Sequence, residues 1–219
     1  MRFRTDLALE STQIYEDEKG RGEIPGVEIK KRKYGTDISV TEITVESKEA
    51  SEILDKPCGV YITIEVGRGF SDNEDEKDRA AFVLAEELLN LSEGYNSKSI
   101  LVAGLGNTAV TPDSLGPLTC SKIDITRPLV KMDKMEGLNS VSAISPGVLG
   151  TTGIESAPVI EAAADISEAT LVIAVDSLAA RDIRRMENCI WCRYFYRIYG
   201  AAWTRTYMWW RAGIHNRLP

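Results

Sequence analysis

An α/β fold built on a mostly parallel sheet with flanking helices is what this 219-residue sequence predicts. Three observations carry that expectation. Two continuous apolar runs, Ser99-Ile100-Leu101-Val102-Ala103-Gly104 and Leu171-Val172-Ile173-Ala174-Val175-Asp176, read as strands buried on both faces, the pattern of parallel sheets. Segments of helical period alternate with the strand candidates, which implies right-handed βαβ crossovers. Hydrophobic residues make up 43% and charged residues 27% of the chain, ordinary values for a globular protein of a length that builds a core without disulfides or metals.

The elements follow in chain order. The first 25 residues are polar and start as loop. Val27-Glu28-Ile29 opens a strand, and Ile38, Val40, Ile43 and Val45 fall near period two, with one slip, as one or two half-buried strands. Val60 to Val66 is β-branched and aromatic between Cys58-Gly59 and Gly67, a strong strand signal. Glu74 to Leu91 is the clearest helix: Phe82, Leu84, Ala85, Leu88, Leu89 and Leu91 form an apolar stripe, and Asp72 or Asn73 is placed to cap it. After the Ser99 run, Thr111-Pro112-Asp113 has the form of a helix start, with Thr at the cap, Pro in the first position and Asp in the first turn. Val141 to Ile144 is a short strand. Pro146 to Gly153 is a Gly/Thr-rich loop, and a helix runs from Ser156 or Pro158 to Ala164 before the Leu171 strand. No internal repeat is evident.

The charge is unevenly spread. The whole chain carries −7, yet residues 182–219 hold seven of the 26 Lys and Arg and only two of the 33 Asp and Glu. The body is therefore strongly acidic, which disfavours direct binding to nucleic acid and favours a basic partner or substrate. The last 38 residues also contain all four Trp, four of eight Tyr and the single His. No apolar run spans a bilayer and no secretory signal opens the chain, and four cysteines are too sparse for a disulfide framework. A reducing cytoplasm is the expected compartment.

Several constellations bear on chemistry. Gly104-Leu105-Gly106-Asn107-Thr108-Ala109 fits a loose dinucleotide fingerprint after a strand. Against it stand a late helix start at Pro112, an acidic residue in that first turn where a pyrophosphate would need the positive dipole end, and the lack of an acidic residue about 20 positions on. Asp113 and Asp176 form the more useful pair. Each follows the carboxyl end of a predicted buried strand, the edge at which open α/β sheets bind ligands. If the strands are neighbours, the two carboxyl groups share a crevice. Close carboxyls do not both ionise readily, so one serves as base on a water while the other, protonated, donates to a carbonyl oxygen. From spacing alone the plainer alternative is favoured, in which Asp113 complements a helix dipole and Asp176 caps the next helix. Glu155 is a third candidate, as a rim carboxylate or a metal ligand beside the two aspartates, or simply a first-turn helix Glu. With His215 the only histidine, no histidine-based triad or usual catalytic zinc site can form. Cys189-Ile190-Trp191-Cys192 lacks both the strand-then-helix context of a redox pair and a second pair for zinc.

Four stretches together resemble the germination protease family, the spore endopeptidases that degrade small acid-soluble spore proteins. Arg4-Thr5-Asp6-Leu7-Ala8-Leu9-Glu10 is similar to the family's N-terminal signature. Val102 to Asn107 followed by Val110-Thr111-Pro112-Asp113-Ser114-Leu115-Gly116-Pro117 resembles its central motif. Ser145-Pro146-Gly147-Val148-Leu149-Gly150-Thr151-Thr152-Gly153-Ile154-Glu155 resembles a third, and Ala174-Val175-Asp176-Ser177-Leu178-Ala179-Ala180-Arg181 a fourth. They occur in family order over residues 4–181. The resemblance implies an α/β fold akin to hydrogenase-maturation proteases, two catalytic aspartates falling on Asp113 and Asp176, a homotetramer, synthesis as a zymogen, and cleavage of DNA-coating spore proteins after acidic residues, in the spore core. No cofactor is expected; the alternative is a divalent metal held by Glu155 and the two aspartates as hard oxygen ligands.

Two departures shape the expectation for this chain. Only Met1-Arg2-Phe3 precedes the first signature, so activation by removal of a long pro-segment is not expected. Beyond Arg181 the motif resemblance stops, and residues 182–219 form an aromatic, basic tail without helical or strand period. A platform for single-stranded nucleic acid and a membrane-interface segment are alternatives for it; translation out of frame is the favoured one. The domain expectation is therefore an incomplete α/β domain over residues 1–181, with an unpaired sheet edge and reduced or absent activity. The competing functions are a non-catalytic binding or assembly protein and a metal-assisted peptidase using the same carboxylates.

Overall fold

Strands joined by short turns can pair only antiparallel, whereas parallel pairing needs a crossover of a dozen residues or more. Both regimes occur in this chain. The computed structural model describes residues 7–20, 24–67, 73–92, 98–132, 137–177, 189–199 and 203–212, the last two stretches and residues 18–19 by their backbone alone. Asp72, residues 178–181 and His215, singled out in the sequence, lie outside the described residues, as do the side chains of Cys189 and Cys192. The chain divides into two compact units, residues 1–91 with 178–195 and residues 92–177 with 196–219.

The first unit holds an antiparallel sheet. Strand β1 (Val27–Tyr34) and β2 (Ile38–Val45) form a hairpin in which Val27 faces Val45 and Tyr34 faces Ile38, and β3 (Gly59–Val66) lies on the other side of β2. The expected mostly parallel sheet does not extend to these strands. Only Gly35, Thr36 and Asp37 separate β1 from β2, and Gly35 takes the left-handed backbone that so tight a reversal needs (φ +67°). Strand β7 (Cys189–Tyr199) continues this sheet, pairing antiparallel to β3 from Glu65–Cys189 to Val60–Tyr194.

Helix α1 (Ala8–Lys19) lies within the polar N-terminal stretch, where the sequence pattern points to no helix. Its signal is short: Leu7, Ala8 and Leu9 are buried, and the Thr12 hydroxyl donates to the Leu9 carbonyl oxygen at 2.9 Å, while the remaining turns are polar. Helix α2 (Lys48–Leu54) is capped by Ser47, whose side chain accepts the Ala50 N–H at 3.0 Å; it packs with α1, and its Ala50 and Leu54 are buried. Helix α3 (Glu74–Ser92) forms where the apolar period places it, and Asn73 Oδ1 accepts the Asp75 N–H at 3.0 Å at its start. Its buried line is not the expected one. Ala80, Val83 and Glu87 are buried, whereas Phe82 and Leu89 are 64% and 68% exposed.

The second unit holds a parallel sheet. Strand β4 (Ser99–Gly104) pairs with β5 (Ser140–Ile144) on one side and β6 (Leu171–Ser177) on the other, and β8 (Trp203–Ala212) pairs with the far side of β6. The backbone of residues 203–212 is thus strand, not the aperiodic segment the sequence pattern suggests. Helix α4 (Leu115–Cys120) covers β4 and β6. Helices α5 (Arg127–Lys131), α6 (Leu149–Thr152) and α7 (Ser156–Ser167) complete the connections, α6 falling inside the expected Gly/Thr loop. The core between α7 and the sheet is Leu101, Ala103, Ile160, Ala164, Ala169 and Val172.

Thr126 closes part of the outer side of β5. Its N–H donates to the Val141 carbonyl oxygen at 3.2 Å, and its hydroxyl accepts the Val141 N–H at 2.9 Å while donating to the Asn139 carbonyl oxygen at 2.5 Å.

Candidate active site at the ends of the parallel strands

The site is built where β4 and β6 end side by side. Parallel pairing aligns Gly104 with Val175, and it extends one step further because the Leu105 N–H donates to the Val175 carbonyl oxygen at 2.7 Å. The chain then turns sharply at Gly106, which has a positive φ of +119°; a side chain here would also overlap the Asp113 carbonyl oxygen. Residues 107–113 fold back on themselves. The Asn107 N–H donates to the Asp113 carbonyl oxygen at 3.0 Å, and the Asp113 N–H donates to the Val110 carbonyl oxygen at 2.8 Å. The Asn107 side chain accepts the Ala109 N–H at 2.9 Å. Asp113 ends a single 3₁₀ turn, Thr111–Asp113, with Pro112 in its first turn, so the proline-led start seen in the sequence is a tight turn and α4 begins two residues later.

Helix α4 can approach the strand ends because residue 116 has no side chain: a Cβ on Gly116 would collide with the Leu105 and Val175 backbone. One turn on, the Cys120 thiol lies 3.4 Å from the Ile144 carbonyl oxygen and 3.7 Å from that of Val102. This packing fills the Gly104–Ala109 loop with the protein's own backbone. The loop opens no helix of its own, which removes the geometry a dinucleotide would use.

Asp176 and Ser177 end β6. Successive strand residues face opposite sides. Val172, Ala174 and Asp176 share the parity that meets α7, and Ser177 shares the parity of Ile173 and Val175. The Asp176 carboxylate turns to the strand end, where Oδ1 accepts the Ser177 N–H at 2.8 Å. The Ser177 hydroxyl donates to the Pro112 carbonyl oxygen at 2.7 Å. The segments carrying Asp113 and Asp176 are therefore tied directly to each other, and both aspartates are half-buried.

Glu155 occupies a different place. It is the residue before α7, exposed, and its side chain makes no capping bond. It does not join Asp113 and Asp176: among the described residues no group of three or more His, Cys, Asp or Glu is arranged to hold a metal ion. Among the same residues no helix is long and apolar enough to cross a membrane.

A second carboxylate cluster, in the first unit, is absent from the sequence reading. Glu87 is fully buried on α3. It receives the Arg32 guanidinium at 2.8 Å and the Tyr34 hydroxyl at 3.3 Å, and Arg32 also reaches Glu42 at 3.1 Å. Burial pushes the Glu87 carboxyl above its ordinary 4.5, with Arg32 and the Tyr34 hydrogen bond opposing the rise. Burial, then the Glu87 charge, raises the Tyr34 hydroxyl as well. The available signal is Arg32 and Tyr34 alternating on one strand face, and Glu87 standing four residues from both Val83 and Leu91.

A parallel α/β sheet with two aspartates on adjoining segments at the carboxyl ends of its strands defines a class: an α/β domain with a carboxylate site at its ligand-binding edge. The comparison with known proteins makes this specific. The family described as germination protease matches residues 5–193, running past Arg181, where the motif resemblance ends. The chain is 41% identical over 193 residues to the germination protease of Clostridium tetani, covering 87% of this chain and 59% of that protein. It is 40% identical over 192 residues to that of Caldanaerobacter subterraneus subsp. tengcongensis, covering 86% and 57%, and 37% identical over 197 residues to that of Bacillus subtilis, covering 86% and 53%. This chain belongs to the germination protease family, and it spans somewhat over half the length of these relatives.

Proposed function

We propose that this chain is an endopeptidase of spore germination, acting on small acid-soluble spore proteins through Asp113 and Asp176. Membership of the family supports the reaction class, since the relatives are named germination proteases. The observation that carries the site is the hydrogen bond from the Ser177 hydroxyl to the Pro112 carbonyl oxygen at 2.7 Å, which joins the two aspartate-bearing segments at the strand ends.

In this reading one aspartate takes a proton from a water while the other donates to the carbonyl oxygen of the scissile peptide. Water attacks the carbonyl carbon, and the resulting diol collapses with proton transfer to the leaving amine. No nucleophilic side chain is required, and no metal takes part in this scheme. The acidic body favours approach of positively charged segments of a DNA-coating protein over approach of the DNA itself. The spore interior as location, and assembly into a homotetramer on a fold akin to hydrogenase-maturation proteases, belong to the same proposal.

The experiment is cleavage of a peptide carrying an acidic residue followed by an apolar one, by the parent chain and by Asp113→Asn and Asp176→Asn. Each substitution is expected to lower kcat by about 10²–10⁴-fold, the usual worth of a positioned acid or base, with the circular dichroism spectrum retained. Undiminished cleavage by either variant removes the two-aspartate mechanism. Analytical ultracentrifugation of the parent chain tests the tetramer.

A further inference from the structure

We infer that Ser177 is the positioning residue that sets the spacing of the two aspartates, an inference that rests on the two-aspartate reading of the site. Ser177 is bonded to both sides at once. Its backbone N–H holds Oδ1 of Asp176 at 2.8 Å, and its hydroxyl holds the carbonyl oxygen of Pro112, part of the peptide unit that leads into Asp113, at 2.7 Å. The strand places this residue well. It ends β6, aligned with Ala212 of β8, and the Val175 carbonyl oxygen two positions earlier is fixed by the Leu105 N–H.

On the other side, the 3₁₀ turn is held to the loop after β4 through the Asn107–Asp113 backbone bond, and α4, which begins two residues later, packs on β6 at Gly116. The Ser177 hydroxyl adds a bond from the end of β6 to the peptide unit next to Asp113 itself. Pro112 is solvent-exposed, so water can satisfy its carbonyl oxygen when the hydroxyl is removed. Loss of the hydroxyl therefore costs little folding stability and instead loosens the geometry of Asp113 relative to Asp176. Misplacement of a reacting group on the order of 1 Å costs about 100-fold in rate.

The test compares the parent chain with Ser177→Ala, Ser177→Thr, Asp113→Asn and Asp176→Asn on one chromogenic peptide, measuring kcat and KM separately and Tm by calorimetry. The expected result is a fall in kcat of about 10- to 100-fold for Ser177→Ala, with KM and Tm close to the parent and kcat recovered in Ser177→Thr, which keeps the hydroxyl. Parent-like kcat in Ser177→Ala, alongside inactive aspartate variants, overturns the role of Ser177 and leaves the dyad standing. A loss of Tm that accounts for the loss of rate, or an unchanged kcat with raised KM, overturns it too. Activity retained in an aspartate variant, or no cleavage by the parent chain, overturns the dyad reading and this inference with it.

Discussion

The two units solve opposite problems with the same functional group. In the first, Glu87 is sealed inside and answered by Arg32 and Tyr34, with Glu42 sharing the guanidinium. In the second, Asp113 and Asp176 stand half-buried where parallel strands end, held by backbone donors and acceptors around them. A buried carboxylate with a cation and a phenol in contact is an anchor, because moving it or its partner leaves a charge without solvent. Half-buried carboxylates near the ends of parallel strands are, in the reading proposed above, the groups that exchange protons with a substrate. The difference between the clusters is thus one of surroundings, and substitution should separate them.

The largest expected effect is at the proposed site in the second unit. Asp113→Asn is expected to reduce turnover by about 10²–10⁴-fold while changing Tm little; peptide kinetics beside calorimetry check both. Next comes the backbone that carries Asp113. Gly106→Ala combines a disfavoured positive φ with overlap on the Asp113 carbonyl oxygen. It should destabilise the chain by about 2–4 kcal/mol, within the range for strain plus overpacking, measured by urea unfolding.

In the first unit Arg32→Met strips Glu87 of its cation. Breaking a buried pair costs about 3–5 kcal/mol. Arg32 keeps 39% of its side chain exposed, so screening brings the expected loss nearer to about 2 kcal/mol. Activity per folded molecule should remain.

Glu87→Gln gives a finer separation through pH. A carboxyl held above its ordinary value in the folded state makes a contribution to stability that is complete below about 4.5 and is lost as pH rises through the folded value. The parent should therefore lose stability with rising pH across that window, and the glutamine variant should lose less; Tm measured from pH 4 to pH 8 reads the slope, with about equal slopes refuting the cause given. The smallest effect is local: Ser47→Ala removes the cap of α2 and should cost about 1 kcal/mol.

Much of the second unit is legible in the sequence because its strands are buried on both faces. Ser99–Gly104 is recovered to the residue, and Leu171–Ser177 within one residue, since uninterrupted apolar runs between polar ends have few other homes. The first unit is less legible. Its hairpin depends on a three-residue turn at Gly35, and the antiparallel pairing of β2 with β3 and of β3 with β7 has no short-turn signal in the sequence. The buried line of α3 escapes detection because Glu87 takes a place that apolar period assigns to Leu or Phe, and its partner Arg32 stands 55 residues away in the chain. The 3₁₀ turn at Pro112 is held by a long-range hydrogen bond from Ser177, which a propensity scale does not contain. Asp113 and Asp176 are legible as strand-end carboxylates; their connection through Ser177 is not, because a serine after an aspartate has no distinguishing pattern.

Thr126 has a consequence for the life of this protein outside the test tube. A free strand margin invites a neighbouring chain to add itself, and successive additions grow into fibrils. By occupying both hydrogen-bonding groups of Val141, one hydroxyl and one amide act as a stopper on that growth. Replacing Thr126 with valine would leave the Val141 N–H exposed to recruitment, and the first sign would be a rise in thioflavin fluorescence on storage.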